Sequence, residues 1–286
     1  EGPAPEVRPD VTPEEAGALA GAPAGTPAGE EQAPLPQGGK AMLKVATYNI
    51  HHGEGVDGRV DLERIAATLE ELNADLIVLN EVDAWWPRSG RVDQASWLAS
   101  RLNLPYYFYG ANLQGRGDPS APGPPAYGNL LLSRFPLLWA ENRPLPRAGL
   151  SEPQGAIVAE VEVEGERLTV LGTHLGLSPQ ERYLQAVALR QLTGERLTDR
   201  RVLLGDLNAE ATQPEVALLL ADPSDPQAWV DVASRSPEPL LTFPSWAPRV
   251  RIDYILLSPI LAERVQEVRV VRSEASDHLP LLAVLN

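Results

Sequence analysis

The stretch VATYNIHH, residues 45–52, shows the pattern that decides the fold, because an apolar run ends directly in polar side chains. The run predicts a strand over residues 43–50, and Asn49, His51 and His52 stand at its end. Polar residues adjoin apolar strands at five further places, namely Asn80-Glu81, Thr173-His174, Asp206 with Asn208, Asp253 and Asp277-His278. Since α/β sheets bind ligands where strands end, we expect these clusters to meet in one cleft.

The remaining apolar periodicity predicts interleaved strands and helices. Strands are predicted over 43–50, 75–82, 129–133, 155–163, 168–173, 202–207, 252–257, 267–271 and 279–285, and helices over 61–72, 94–102, 179–197 and 214–220. Residues 110–127 are rich in glycine and proline, so we predict a loop there, long enough to be a lid or binding loop. Elements that alternate without an internal repeat indicate an α/β or mixed α+β domain.

Residues 1–40 differ from the rest, because proline, glycine and alanine supply 23 of the 40 positions. This composition predicts a flexible tail or linker, followed by one catalytic domain over residues 41–286. The chain begins at Glu1 instead of methionine. We therefore expect either an exported protein from which an N-terminal segment was removed, or otherwise a cytoplasmic one.

Composition excludes several classes of protein. The chain has no cysteine, so disulfides, thiolate metal sites and cysteine nucleophiles are absent. No apolar stretch reaches the roughly 18 residues of a membrane helix. We also expect a monomer without a stable protein partner. The net charge of −15 and the presence of only two lysines, Lys40 and Lys44, argue against broad electrostatic binding of nucleic acid. They do not exclude a nuclease, because bound metal inverts the local field.

The histidines all fall in the polar clusters at strand ends. The chain contains four, which are His51, His52, His174 and His278. A single histidine is more often a surface or satisfied core residue than a functional one. Four of four at such positions favour function.

These clusters carry a family resemblance. The motifs are YNIHHG at 48–53, LNEVD at 79–83, YGNLLLSRFP at 127–136, THL at 173–175, GDLNAE at 205–210, RIDYILLS at 251–258 and SDHLP at 276–280. In this order they resemble the endonuclease/exonuclease/phosphatase superfamily over residues 42–286. The resemblance implies a four-layer α/β/β/α sandwich of two packed mixed β-sheets flanked by helices. It also implies an active site at one edge of that sandwich.

The chemistry of phosphoester cleavage gives the matched residues their expected roles. Hard cations prefer oxygen ligands, so Glu81 is the first candidate to bind Mg²⁺, for which Mn²⁺ or Ca²⁺ could substitute. The resemblance places Asn49 beside the metal and makes Asp277 the residue that completes the metal site. It assigns water activation to Asp206 with Asn208. It also assigns charge stabilisation at the phosphate to the pair Asp253–His278 and to His174.

Three further residues are candidates for substrate binding. His51 stands where abasic-site endonucleases carry an aspartate, so a second carboxylate ligand is missing here. Arg88 could meet a phosphate through its guanidinium, although a surface arginine fits equally well. Asn129 either lines the cleft or belongs to a tight strand entry. Trp85 and Trp86 could stack on a base or a lipid headgroup, or belong to the core or its rim.

The sequence therefore favours a divalent-metal-dependent phosphodiesterase, with DNA or RNA as the substrate class slightly preferred. The alternative is a sphingomyelinase-like or other lipid or small-molecule phosphoesterase. An inositol-phosphatase function is disfavoured, because a polyanionic substrate needs a lysine-rich pocket. A binding module that has lost catalysis would show broken site residues, and the core set is intact.

Overall fold

A computed structural model describes residues 42–117, 121–196, 198–220, 225 and 228–286. The tail predicted over residues 1–40 lies outside this range. The strands are β1 Leu43–Asn49, β2 Leu76–Ala84, β3 Tyr106–Gln114, β4 Ala126–Ser133, β5 Leu137–Pro144, β6 Gly155–Val163, β7 Glu166–His174, β8 Arg201–Asp206, β9 Val230–Asp231, β10 Asp253–Leu257, β11 Val265–Val270 and β12 Leu281–Leu285. The helices are α1 Leu62–Leu72, α2 Gln94–Arg101, α3 Pro179–Arg196, α4 Pro214–Leu220 and α5 Pro259–Ala262.

Two six-stranded sheets form the centre of the described domain. Their strand orders are β11-β12-β1-β2-β4-β3 and β5-β6-β7-β8-β10-β9. Each sheet is mixed, because β1 and β2 are parallel, β7 and β8 are parallel, and the other pairs are antiparallel. The carboxyl ends of each parallel pair therefore lie side by side, which is where α/β sheets place ligand sites.

Three apolar clusters hold the layers together. The first lies between the sheets and takes residues from both, including Val78 of β2 and Ile255 of β10. The second packs α1 and α2 on the first sheet, and the third packs α3 and α4 on the second. The predicted α/β/β/α sandwich is confirmed. Among the described residues, no helix is long and apolar enough to cross a membrane.

Local sequence explains where the helices begin and end. Asp61 caps α1, since its side chain accepts hydrogen bonds from the backbone N–H groups of Glu63 and Arg64. Asn73 ends the same helix in the left-handed conformation that asparagine tolerates well (φ 45°). The predicted helices over 61–72, 94–102, 179–197 and 214–220 are confirmed within one residue at each end, apart from residue 197, which is not described.

The prediction of a loop over residues 110–127 is wrong at both ends. Residues 110–114 belong to β3 and residues 126–127 to β4, and these strands pair antiparallel. Residue 110 of β3 is a glycine because a Cβ there would come within 2.9 Å of Asn142 and Ile157. The sequence also did not predict β3 or β5 as strands. Both are edge strands that are half exposed, so neither shows the apolar run of a buried strand.

The two sheets approach each other closely at one point near the site. A Cβ at Gly172 of β7 would lie 3.0 Å from both methyl groups of Val78 in β2. Glycine at this position therefore lets the two parallel pairs pack back to back.

Candidate active site

The first sheet contributes a distorted strand end. In the ladder between β2 and β4, the register shifts between Leu79 and Val82, so Asn80 and Glu81 together oppose Asn129. Such a β-bulge redirects side chains that a regular strand would send to alternate faces. Glu81 adopts a left-handed conformation (φ 61°), which is uncommon for a residue other than glycine. The bulge therefore directs Asn80 and Glu81 towards the same edge of the sandwich.

The second sheet contributes three aligned polar residues. Asp206 at the end of β8 is in register with His174 of β7 on one side and with Asp253 of β10 on the other. All three are buried. Gly205, immediately before, allows this close pairing, because a Cβ there would lie 1.8 Å from the carbonyl oxygen of Thr173.

Asn49 joins the two sheets through its side-chain amide. Its Nδ2 donates to Glu81 Oε1 at 2.9 Å and to Asp206 Oδ2 at 3.1 Å. Its Oδ1 accepts from the backbone N–H of His51 at 3.1 Å. Asn49 is 1% exposed, so these bonds form away from bulk water and hold two carboxylates from different sheets near each other.

Asn80 makes a second connection between the sheets, directly behind the first. Its Oδ1 accepts from the backbone N–H of Asp206 at 3.0 Å, and its Nδ2 donates to Thr173 O at 2.9 Å and to Asn129 Oδ1 at 2.8 Å. Asn129 in turn donates to Gly155 O at 3.1 Å. This buried chain of amides fixes the position of the Asp206 backbone.

Asp206 lies at the centre of the site. Its Oδ1 accepts from the backbone N–H of Asn208 at 2.8 Å, and its Oδ2 lies 3.6 Å from Nε2 of both His174 and His278. Burial, together with the negative charge of Asp253, raises the pKa of Asp206. A carboxylate with both oxygens held in place and a raised pKa is suited to accept a proton.

His278 forms a carboxylate–imidazole pair with Asp253, with 2.9 Å between His278 Nδ1 and Asp253 Oδ2. Burial alone would lower the pKa of His278, but the charges of Asp253 and Asp206 outweigh it and raise the pKa to about 10. The imidazole is therefore positively charged at neutral pH. Phe243 packs against its ring, with 4.8 Å between the ring centroids.

His174 and Asn208 lie together on the other side of Asp206. Asn208 Nδ2 is 2.9 Å from His174 Nε2 and donates to Leu175 O at 2.8 Å. Asn208 has a positive φ of 50°, another uncommon conformation at this site. The structure thus brings the other four residues predicted as catalytic around the carboxylate of Asp206.

The residues predicted to bind metal are arranged less tightly. Glu81 offers carboxylate oxygens of the kind that Mg²⁺ prefers, whereas Asn49 contacts it through Nδ2 and uses its Oδ1 for the backbone N–H of His51. Burial raises the pKa of Glu81, but His174, the Asn49 amide and His51 outweigh it, and the pKa falls below its ordinary value. The ionised carboxylate of Glu81 therefore suits a hard divalent cation. Asp277 lies beside His51, with 3.9 Å from its Oδ1 to the His51 Nδ1.

Two of the predicted substrate-binding residues have other partners in the structure. Arg88 forms a bidentate ion pair with the fully buried Asp83, at 2.8 and 2.7 Å, and its guanidinium lies 5.4 Å from the Tyr127 ring centroid. Asn129 is 1% exposed and uses its amide in the buried chain described above. Asn129 therefore supports the site from behind and does not line a cleft.

Two contributors were not among the predicted site residues. Asn80 stood in a predicted cluster, but nothing in a strand sequence reveals a bulge. Ser276 donates from its Oγ to Asn49 O at 2.8 Å and accepts from the backbone N–H of His278 at 3.3 Å, so it joins the first and last motifs of the site. In the sequence, only its position next to the Asp277-His278 pair could have indicated a role for Ser276.

The chain matches the family described as Endonuclease/Exonuclease/phosphatase family over residues 46–278. An endonuclease/exonuclease/phosphatase from Beutenbergia cavernae is 24% identical, with a TM-score of 0.68 over 86% of this chain and 72% of that one. A mannosyl-6-phosphatase from Bacteroides thetaiotaomicron is 17% identical, with a TM-score of 0.65 over 85% and 100%. TDP2 from D. rerio, solved with single strand DNA product, is 20% identical, with a TM-score of 0.62 over 86% and 100%. At these identities the likeness shows a shared fold.

Proposed function

This chain belongs to the endonuclease/exonuclease/phosphatase family, and from that premise we propose that it is a Mg²⁺-dependent phosphodiesterase acting on nucleic acid. Members of the family are hydrolases that act on phosphoesters. The observation that carries the proposal is the arrangement around Asp206, which has the Asn49 amide connecting it to the Glu81 carboxylate on one side and two imidazoles on the other.

Asn49, Glu81 and Asp277 would hold the cation, with Mn²⁺ as a plausible substitute. When bound, Mg²⁺ supplies positive charge that neutralises a phosphate oxygen and lowers the barrier to nucleophilic attack.

Asp206 is the proposed general base. Its raised pKa makes the carboxylate a stronger proton acceptor, and its bonds to Asn208 and Asn49 hold it in one orientation. A water within hydrogen-bond reach of Oδ2 would lose its proton to Asp206 as its oxygen attacks phosphorus. The bond from phosphorus to the leaving-group oxygen would break, and that oxygen would keep the electron pair and take a proton from solvent. The amide of Asn208 helps to orient the site for this step.

The two imidazoles act on the phosphoryl group. His278 carries a positive charge that Asp253 maintains, and it faces Asp206 at 3.6 Å, so a phosphate in this cleft lies next to a fixed cation. His174 would donate a hydrogen bond to a phosphoryl or leaving-group oxygen. Fixed donors in a buried site cost little reorganisation, which is why such groups stabilise charge effectively.

Two observations support nucleic acid as the substrate. Trp246 is 65% exposed, and the preceding residue, Ser245, donates its backbone N–H to Asp277 O at 2.7 Å. An exposed indole next to a phosphate site offers a surface on which a base can stack. The structural relative TDP2 was solved with single strand DNA product.

A second candidate is a phosphoesterase acting on a small molecule or lipid headgroup. The net charge of −15 favours it, because a strongly acidic protein repels a long polyanion. The likeness to a mannosyl-6-phosphatase is in keeping with this option.

A substrate panel tests the proposal. Plasmid DNA, single-stranded DNA, RNA, sphingomyelin, sugar phosphates and inositol phosphates are each incubated with Mg²⁺ and, separately, with chelator. We expect cleavage of a nucleic acid that chelator abolishes and that Asp206→Ala reduces at least ~100-fold. Asp231→Asn, which removes a carboxylate bonded to Arg251 outside the site, is the matched control. Chelator-resistant activity, or turnover of sugar phosphates alone, would overturn the proposal.

A further inference from the structure

His51, His52 and Glu81 form a cluster at the edge of the site that the mechanism above does not use as a unit. Each offers one ligand atom, and the three atoms lie within 4.8 Å of one another. Ligands of a divalent metal bound at about 2.0–2.2 Å are separated by roughly 3–4.3 Å, so a small contraction would bring all three into coordination distance.

His52 shows the strongest sign of a missing ligand. The residue is 7% exposed, and its Nδ1 has no hydrogen-bond partner within the part of the chain that the structure describes. A buried polar atom without a partner is costly and calls for an explanation. Its other ring nitrogen, Nε2, lies 3.5 Å from Glu54 Oε2. A carboxylate on one nitrogen favours the tautomer in which the other nitrogen has a free lone pair, as in many metal-binding histidines.

The backbone holds the cluster in an unfavourable conformation. His51, His52 and Glu81 all have positive φ, at 45°, 44° and 61°. Residues other than glycine occupy this region at an energetic cost, and such positions concentrate at ligand sites. Gln94 Nε2 donates to the carbonyl oxygen of His52 at 2.7 Å and so restrains the backbone of this turn.

We propose that His51, His52 and Glu81 bind a divalent transition-metal ion of the Co²⁺ or Zn²⁺ class, beside the oxygen-donor site for Mg²⁺. Imidazole donors suit these ions, whereas Mg²⁺ prefers carboxylate, carbonyl and water oxygens. Glu81 borders both sites. The inference therefore shares one residue with the proposed function, but it concerns binding of a different ion.

The test measures Co²⁺ binding, not activity. Metal-free full-length protein in excess Mg²⁺ is titrated with Co²⁺ and followed by calorimetry and visible absorption. We expect one Co²⁺ per chain, with an affinity that falls at least ~100-fold in His52→Gln, because loss of groups that merely orient a ligand already costs about 10–100-fold. His51→Gln should show the same loss. This second variant is less prone to misfold, because the His51 side chain is 34% exposed.

His174→Gln is the matched control, because it removes an imidazole that borders the same cleft but lies outside the cluster. Its Co²⁺ affinity should stay within about threefold of wild type, since each lost ligand costs far more than that. Equal Co²⁺ binding by wild type, His51→Gln and His52→Gln would overturn the inference, as would an equal loss in His174→Gln. Phosphodiesterase activity with Mg²⁺ alone is scored separately, so failure of the proposed function does not alter this result.

Discussion

Replacing Asp253 by asparagine tests whether this carboxylate keeps His278 positively charged. The side chain keeps its shape, but the negative charge 2.9 Å from His278 Nδ1 is lost. Asp253 is fully buried, so water cannot replace that charge. We expect His278 to lose its proton at lower pH and to stabilise the phosphoryl oxygens less well.

The size of the effect follows from the pKa of His278. Its rise from 6.5 to about 10 corresponds to roughly 5 kcal/mol in favour of the charged imidazole, and Asp253 contributes most among the three carboxylates that cause it. An opposite charge in contact is worth about 1–3 pKa units, so we expect the pKa to fall by about 2 units. At pH 7 most His278 rings would then still be protonated, so kcat should stay within about threefold of wild type. Near pH 9 only about a tenth of them would carry the charge, so kcat should fall about tenfold.

The assay is a pH–rate profile with Mg²⁺, together with an NMR titration of the His278 ring. In Asp253→Asn the apparent pKa of the alkaline limb of the kcat profile should fall by about 2 pH units. Asp231→Asn is again the control and should keep both the limb and kcat. An alkaline limb that stays in place, with kcat near pH 9 within about threefold of wild type, would refute the assigned role of Asp253.

The same pair makes folding stability depend on pH. The pKa of His278 is raised in the folded state, so its contribution is complete below about 6.5 and is lost as pH rises towards 10. In chelator, the difference in unfolding free energy between wild type and Asp253→Asn should therefore be about 3 kcal/mol near pH 6.5 and shrink towards pH 10. A difference that stays constant over this range in urea titrations would contradict the assignment.

Three further substitutions probe the frame of the site. Asn80→Ala should destabilise the protein by about 2–5 kcal/mol in urea unfolding, because the backbone N–H of Asp206 and other buried groups lose partners; a loss below about 1 kcal/mol would contradict this. Glu81→Gln should weaken Mg²⁺ binding at least ~10-fold by calorimetry, and unchanged affinity would remove Glu81 from the metal site. Gly205→Ala should lower the melting temperature strongly or prevent folding, because its Cβ would lie 1.8 Å from the carbonyl oxygen of Thr173; near-wild-type melting would show that the strands can separate.

Strand ends were the part of the site that sequence could predict. The apolar runs before Asn49 and Asp206 and the run after Asp253 marked buried strands, and the polar residues at their ends do meet at one edge. The pattern works because a buried strand must be apolar along its length, and a polar residue at its end signals the point where it reaches a cleft.

Two kinds of feature were not visible in the sequence. The edge strands β3 and β5 are half exposed, so their composition resembles that of a loop. The bulge at Asn80-Glu81 depends on how β2 pairs with β4, which is a long-range property. For the same reason the sequence could not decide between the alternatives at Arg88 and Asn129, because their partners Asp83 and Asn80 become neighbours only when the chain has folded.

The close approach of Gly172 to Val78 has a consequence for the chemistry. The residues proposed to bind the cation come from one sheet and the proposed proton acceptor Asp206 from the other, so the packing distance between the sheets sets the distance between them. Side chains packed between the sheets, far from any phosphate, thereby determine the distance between the proposed metal donors and Asp206. Turnover in this protein should respond to the volume of its core, and selection on interior packing is also selection on rate.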